Sequence, residues 1–179
     1  DIALAELENG SIDLIAVALD DIERVEALDH VTVVSVPSPS LDSISVNLDR
    51  EYFQDKRVRQ AMQYAIDRQT IVDQLYQGKA IVRNSPIFGP DWMGVPEGLN
   101  EYAYDPDMAR QLLQEAGWDD SVRPQMMYVP GNNATFDNMV PIIQAQWAEV
   151  GFNVELLQVD ATELNQKLVL DADYDLYIG

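Results

Sequence analysis

The chain has 179 residues, 31 acidic against 11 basic side chains for a formal net charge of −20, 47% hydrophobic residues and no cysteine. That length and apolar content suit one large domain or two small ones, and 23% charged with 8% aromatic residues excludes disordered and fibrous classes. Disulfides, thiolate metal sites and cysteine nucleophiles are excluded together, and so polyanionic a chain repels nucleic acid and anionic membranes.

No apolar run reaches the roughly 18 residues of a membrane span. The chain opens on Asp1 rather than a methionine and a basic leader, as expected of a mature chain or an internal piece. Lysine occurs three times, at Lys56, Lys79 and Lys167. An acidic, lysine-poor surface suits a salt-exposed or extracytoplasmic protein, or simply a soluble acidic one.

In chain order, residues 3–8 before Asn9-Gly10 predict a short helix stopped at a left-handed residue, and 12–18 an apolar strand. A second short helix over 21–28 leads to a β-branched strand over 31–36, which Pro37-Ser38-Pro39-Ser40 interrupts. From 41 to 48, Leu41, Ser43, Ser45 and Asn47 alternate with Asp42, Ile44, Val46 and Leu48, the period of a strand with one apolar and one small polar face.

Asp55 caps a predicted helix whose stripe is Val58, Ala61, Met62, Ala65 and Ile66. Asp67 stands where a second cap belongs, so a bend is expected near Ile66-Asp67, with Ile71, Val72, Leu75 and Tyr76 continuing the stripe to Gly78. Residues 79–100, rich in proline and glycine, read as a long ordered loop. The aromatics around it, Phe88, Trp92, Tyr102 and Tyr104, either line a ligand site or form the satellite cluster such a loop needs.

The clearest local signal follows: Asp105 as N-cap, Pro106 at the first helical position, Leu112, Leu113 and Ala116 on one face, and Gly117 at the exit. Residues 126–129 predict a strand, 130–133 a turn, and 137–150 a helix whose Pro141 is expected in about the first turn. A strand over 153–159, a helix over 162–170 and a strand over 174–178 complete the series. Leu113-Gln114-Glu115-Ala116-Gly117-Trp118 and Trp147-Ala148-Glu149-Val150-Gly151-Phe152 share one ending, a helix turned back at glycine with an aromatic packing on the last turn. Helices and strands alternate throughout, which predicts an α/β mixed sheet flanked by helices.

Phosphate loops, dinucleotide fingerprints, the nucleophile elbow and the zinc-protease motif are all missing from the sequence. The single histidine, His30, follows Asp29 at the end of a short acidic helix, where a cation offsets the helix dipole. Asp171, Asp173 and Asp175 resemble the opening of a calcium loop, but Leu176 replaces the required glycine and no twelfth-position Glu follows, so a turn feeding a strand is the better account. No pair among the 31 acids is singled out for acid–base work.

The run Asn47-Leu48-Asp49 followed by F-Q-D-K-R-V-R-Q-A-M-Q-Y-A-I-D-R over 53–68 resembles the central signature of the family 5 extracellular solute-binding proteins, the peptide- and nickel-binding components of ABC importers. The resemblance continues through Gly78, Asn84-Ser85-Pro86, Tyr104-Asp105-Pro106, Ala116-Gly117, 144–151 and Tyr174-Asp175-Leu176. It implies a class II periplasmic-binding-protein-like fold with incomplete lobes: residues 1–80 in the first, 81–179 in the second, the latter lacking its C-terminal return strands.

It further implies no catalysis, no cofactor and no metal site. The solute, a peptide foremost, is captured outside the cytoplasm and delivered to membrane permease subunits. Ser45, Asn47, Asn84, Ser85, Phe88 and Trp92 are the residues expected at the ligand, whereas Arg57, Arg59, Asp67 and Arg68 are assigned to caps and ion pairs. An extracellular receptor or nickel-binding protein on the same fold is the alternative, and a carboxylate-based hydrolase a more remote one. An internal fragment is expected, one that binds ligand weakly and self-associates through open sheet edges.

Overall fold

The computed structural model of the protein describes residues 2–36, 40–85, 98–131 and 134–179. Two compact units divide it, Asp1–Ser38 and Pro39–Gly179. The expected Pro37–Ser40 interruption, the prolines and glycines between 86 and 97, Phe88, Trp92 and the Asn132-Asn133 turn fall wholly or partly outside the described residues.

In the first unit, α1 (Ile2–Glu8) ends as its sequence dictates: Gly10 adopts φ 76°, and Ser11 N–H reaches back to the Glu6 carbonyl at 2.8 Å. Helix α2 (Ile22–Glu26) lays Val25 against Leu4 and Leu7, and Ile12, Ile15, Val17, Val31 and Val33 pack around them. The strands expected over 12–18 and 31–36 are not formed. Their inward residues contribute to the cluster, but no ladder partner stands beside either segment among the described residues, and Leu14, Val34 and Val36 are exposed. Apolar and β-branched residues favour an extended chain; a strand also requires a hydrogen-bonded neighbour. His30 does serve a helix end, though of α1 rather than of the helix preceding it: its Nε2 lies 3.2 Å from the Leu7 carbonyl.

The second unit is built on a four-stranded sheet of order β1-β4-β2-β3, with β1 (Ile44–Val46), β2 (Gln125–Tyr128), β3 (Glu155–Gln158) and β4 (Leu176–Ile178). Strands β2, β3 and β4 run parallel, and β1 pairs antiparallel to β4 with Ser45 opposite Tyr177. The buried strand residues Met126, Met127, Leu176 and Ile178 explain why these segments lack a clean polar face.

Helices α3 (Glu51–Gln54), α4 (Lys56–Tyr64) and α5 (Arg68–Leu75) follow β1. The caps stand where expected, with Asp55 accepting from Arg57 N–H and Asp67 from Thr70 N–H. The expected bend is the break between α4 and α5. There α7 (Ala134–Glu149) supplies partners to freed backbone groups: Trp147 Nε1 donates to the Met62 carbonyl at 3.0 Å, and Gln146 Oε1 accepts from Asp67 N–H at 3.0 Å.

Helix α6 (Pro106–Ala116) packs on α4 and is capped by Asp105, with Gly117 at φ 70°. Both glycine exits close alike, Trp118 N–H bonding Leu113 O at 2.9 Å and Phe152 N–H bonding Trp147 O at 3.0 Å. The two exits also meet each other: the Trp118 and Phe152 rings lie 4.9 Å apart, and Trp118 Nε1 donates to the Gly151 carbonyl. Helix α8 (Ala161–Leu164) continues into a π-helical turn, Asn165–Leu170.

One expectation about a helix start requires correction. Pro141 lies in the third turn of α7 rather than the first, because the helix already starts at Ala134. The compact units divide between Ser38 and Pro39, and residues on either side of position 80/81 share one sheet and one core.

Candidate functional site

Strand β1 presents Ser45 to solvent and delivers Asn47, 7% exposed, to the junction with the turn before β4. The Asn47 amide nitrogen donates to the Ala172 carbonyl at 3.0 Å and the Tyr174 carbonyl at 2.8 Å, while its oxygen accepts from Asp49 N–H at 3.0 Å. Both amide donors are thereby engaged within the chain, and the side chain clasps the turn.

Arg50 completes the clasp. Its Nε contacts the Tyr174 carbonyl at 3.1 Å and Asp175 at 2.8 Å, and its Nη2 contacts Asp173 at 2.8 Å. The other oxygen of Asp175 accepts from Gln125 N–H at 2.8 Å, tying the turn to β2. Burial, followed by its hydrogen bond to Asp175, raises the Tyr52 phenol above its usual range. Hydrogen bonding to Asp173 raises Arg50, so the guanidinium stays charged.

Asp173 and Asp175 are thus partners of one guanidinium, and Asp171 accepts from Gln166, the pattern of a turn feeding a strand. No group of three metal-ligating side chains exists among the described residues. The cavity beside Arg50 and Asp173 measures about 90 Å³. Small-molecule sites run to roughly 300–1,000 Å³, so this space admits water and no peptide.

The other expected ligand residues lie apart from this junction in sequence. Asn84 is exposed and Ser85 buried, and Phe88 and Trp92 fall outside the described residues. Tyr102 takes the structural alternative, packing edge-on against Tyr64 at 5.2 Å while its carbonyl accepts from Arg68. Arg57, Arg59 and Arg68 serve caps and helix ends as expected; Arg57 grips Asp55 at 2.6 Å and Arg59 the Phe53 carbonyl at 2.6 Å. Sequence reasoning missed Arg50 and Tyr52. The signal available was a lone arginine between the Asn47 motif and α3, in a chain with few cations.

Among the described residues no helix is long and apolar enough to cross a membrane. The mixed sheet flanked by helices matches solved structures along nearly its whole length. HbpA2 from Haemophilus parasuis superposes with TM-score 0.83 at 25% identity, over 99% of this chain and 36% of that one. The oligopeptide-binding protein AppA of Bacillus subtilis, in complex with a nonapeptide, gives 0.77 at 26%, over 99% and 38%. The fold is therefore that of the periplasmic binding proteins.

In sequence, a Brucella ovis protein assigned as an ABC transporter peptide-binding protein is 33% identical over 165 residues, 91% of this chain and 31% of that protein. Heme-binding protein A of Haemophilus influenzae is 30% identical over 151 residues, 82% and 27% respectively. The family model for the middle region of the bacterial extracellular solute-binding proteins, family 5, matches residues 1–179, and the chain belongs to that family. It spans about a third of the length of the curated relatives it matches.

Proposed function

We propose that the protein is the non-enzymatic, solute-capturing component of an ABC importer, that its solute is a peptide, and that it delivers this solute outside the cytoplasm to membrane permease subunits. The observation that carries this reading is the family match along all 179 residues, joined to relatives whose names specify peptides.

A second reading, a metal complex or heme as solute, is favoured by the heme-binding relative at 30% identity. Thermal and urea unfolding of the full-length protein against di- to nonapeptides, heme and nickel–histidine separates the two. A cognate peptide at 100 times its Kd adds about 2.7 kcal/mol of stability. Saturable stabilisation by heme or nickel–histidine with none by any peptide overturns the peptide reading, and hydrolysis of a bound peptide overturns the non-enzymatic one.

A further inference from the structure

In the first unit, the two segments that do not become strands leave their bonding capacity open. Ile12, Ile15 and Val17 from one, and Val31 and Val33 from the other, pack on Leu4, Leu7 and Val25, so α1 and α2 cover one face of each segment. The opposite face is apolar too: Leu14, Val34 and Val36 are 88%, 76% and 74% exposed. Among the described residues, no backbone N–H or carbonyl of residues 12–17 or 32–36 has a hydrogen-bond partner.

Apolar residues on both faces mark parallel strands covered on both sides, and a row of unpaired backbone groups is a template for a further strand. The connections are those of a parallel sheet as well. A parallel neighbour is reached through a crossover of roughly 10–12 residues or more, usually a helix. Residues 19–30, which contain α2, supply such a crossover between the two segments. Residues 2–11, with α1 and its glycine exit, form a second one that leads into segment 12–18 and covers the same cluster. That second crossover delivers the chain to one strand position, and its other end calls for a strand before Asp1.

We propose that in the full-length protein the segment immediately preceding Asp1 is a strand that pairs in parallel with residues 12–18, with α1 as the crossover that joins them. The curated relatives are about three times as long as this chain, so the strand has a source within the same molecule. A tethered segment acts at roughly millimolar effective concentration, far above the bulk concentration at which a second copy competes for the same edge. The pairing satisfies the open backbone groups of 12–17 and turns the first unit from two helices with irregular segments into a β-α-β layer.

Amide hydrogen exchange of the full-length protein reads the pairing. At least alternate amides within 12–17 are expected to exchange about a thousandfold more slowly than in an unstructured peptide of the same sequence, at every protein concentration. Photo-crosslinking from Leu14→p-benzoylphenylalanine is expected to capture residues preceding Asp1, and Ala16→p-benzoylphenylalanine repeats the measurement if the first variant misfolds. Exchange of all the 12–17 amides at the unstructured rate overturns the proposal. Protection that disappears on dilution, with crosslinks between molecules, assigns the edge to a second copy and overturns the intrachain strand. Crosslinks confined to chain beyond Gly179 overturn the choice of the preceding segment.

Discussion

Replacing Asn47 with alanine tests whether this residue is a structural clasp. The substitution removes three hydrogen bonds at 2.8–3.0 Å from a side chain that is 7% exposed. Three such bonds at 0.5–1.5 kcal/mol set an upper range, but the losses are unequal. The Tyr174 carbonyl keeps Arg50 Nε at 3.1 Å, and Asp49, in an exposed turn, recovers water. The Ala172 carbonyl loses its side-chain partner outright. The expected destabilisation is therefore about 2–3 kcal/mol, read by urea unfolding followed through tryptophan fluorescence, with an unchanged slope. In N47D a carboxylate faces two carbonyls with Asp173 and Asp175 nearby, so the penalty exceeds that of N47A at pH 7. It narrows relative to the parent as acid neutralises the new group. A loss below about 0.5 kcal/mol refutes the clasp. Unchanged stability combined with lost solute binding in the full-length protein returns Asn47 to the ligand.

Trp147→Phe keeps most of the buried ring but leaves the Met62 carbonyl without its indole donor, for an expected cost of about 2 kcal/mol by denaturant unfolding. Gly117→Ala meets no atom within 4 Å, so its expected cost of about 1–2 kcal/mol comes wholly from the left-handed backbone; a larger loss would reveal packing strain. Hydrogen bonding from Arg57 depresses Asp55 to about 2, so the stability it confers is present above the unfolded carboxylate range and is lost as pH falls from about 4 through 2. Asp55→Asn, which retains a capping oxygen, flattens that part of the stability–pH profile, and an unchanged acid limb refutes the assignment. Segments 12–18 and 31–36 carry exposed Leu14, Val34 and Val36 without ladder partners among the described residues, so the 179-residue chain is expected to self-associate at high concentration. A strict monomer by light scattering contradicts this.

Local chemistry made much of the second unit legible in advance. Asp55, Asp67 and Asp105 cap because a short acceptor side chain reaches the N–H groups two or three residues on, and Gly10, Gly117 and Gly151 end helices because only glycine takes a positive φ without cost. Each of these is settled within a few residues of chain, as is the α4–α5 break at Asp67. The V-R-Q-A-x-x-x-A-I-D-R pattern carried the family for the same reason, its letters being fixed by helix ends and one buried stripe.

What the sequence could not decide were the matters that depend on distant partners. The apolar run 12–18 and the β-branched run 31–36 read as strands no less than 41–48 did, yet among the described residues only the last acquired a ladder neighbour, β4, more than 120 residues away, and became a strand. Asn47 carries the same amide wherever it lies; folding brought it the carbonyls of Ala172 and Tyr174, because a buried amide takes the partners brought to it. The repeated glycine–aromatic endings were visible as two separate exits, and only folding stacked Trp118 on Phe152 and opened beside them a cleft rimmed by acids. Caps and turns are short-range and written in adjacent residues; sheet order, side-chain partners and clefts arise where the chain returns to itself.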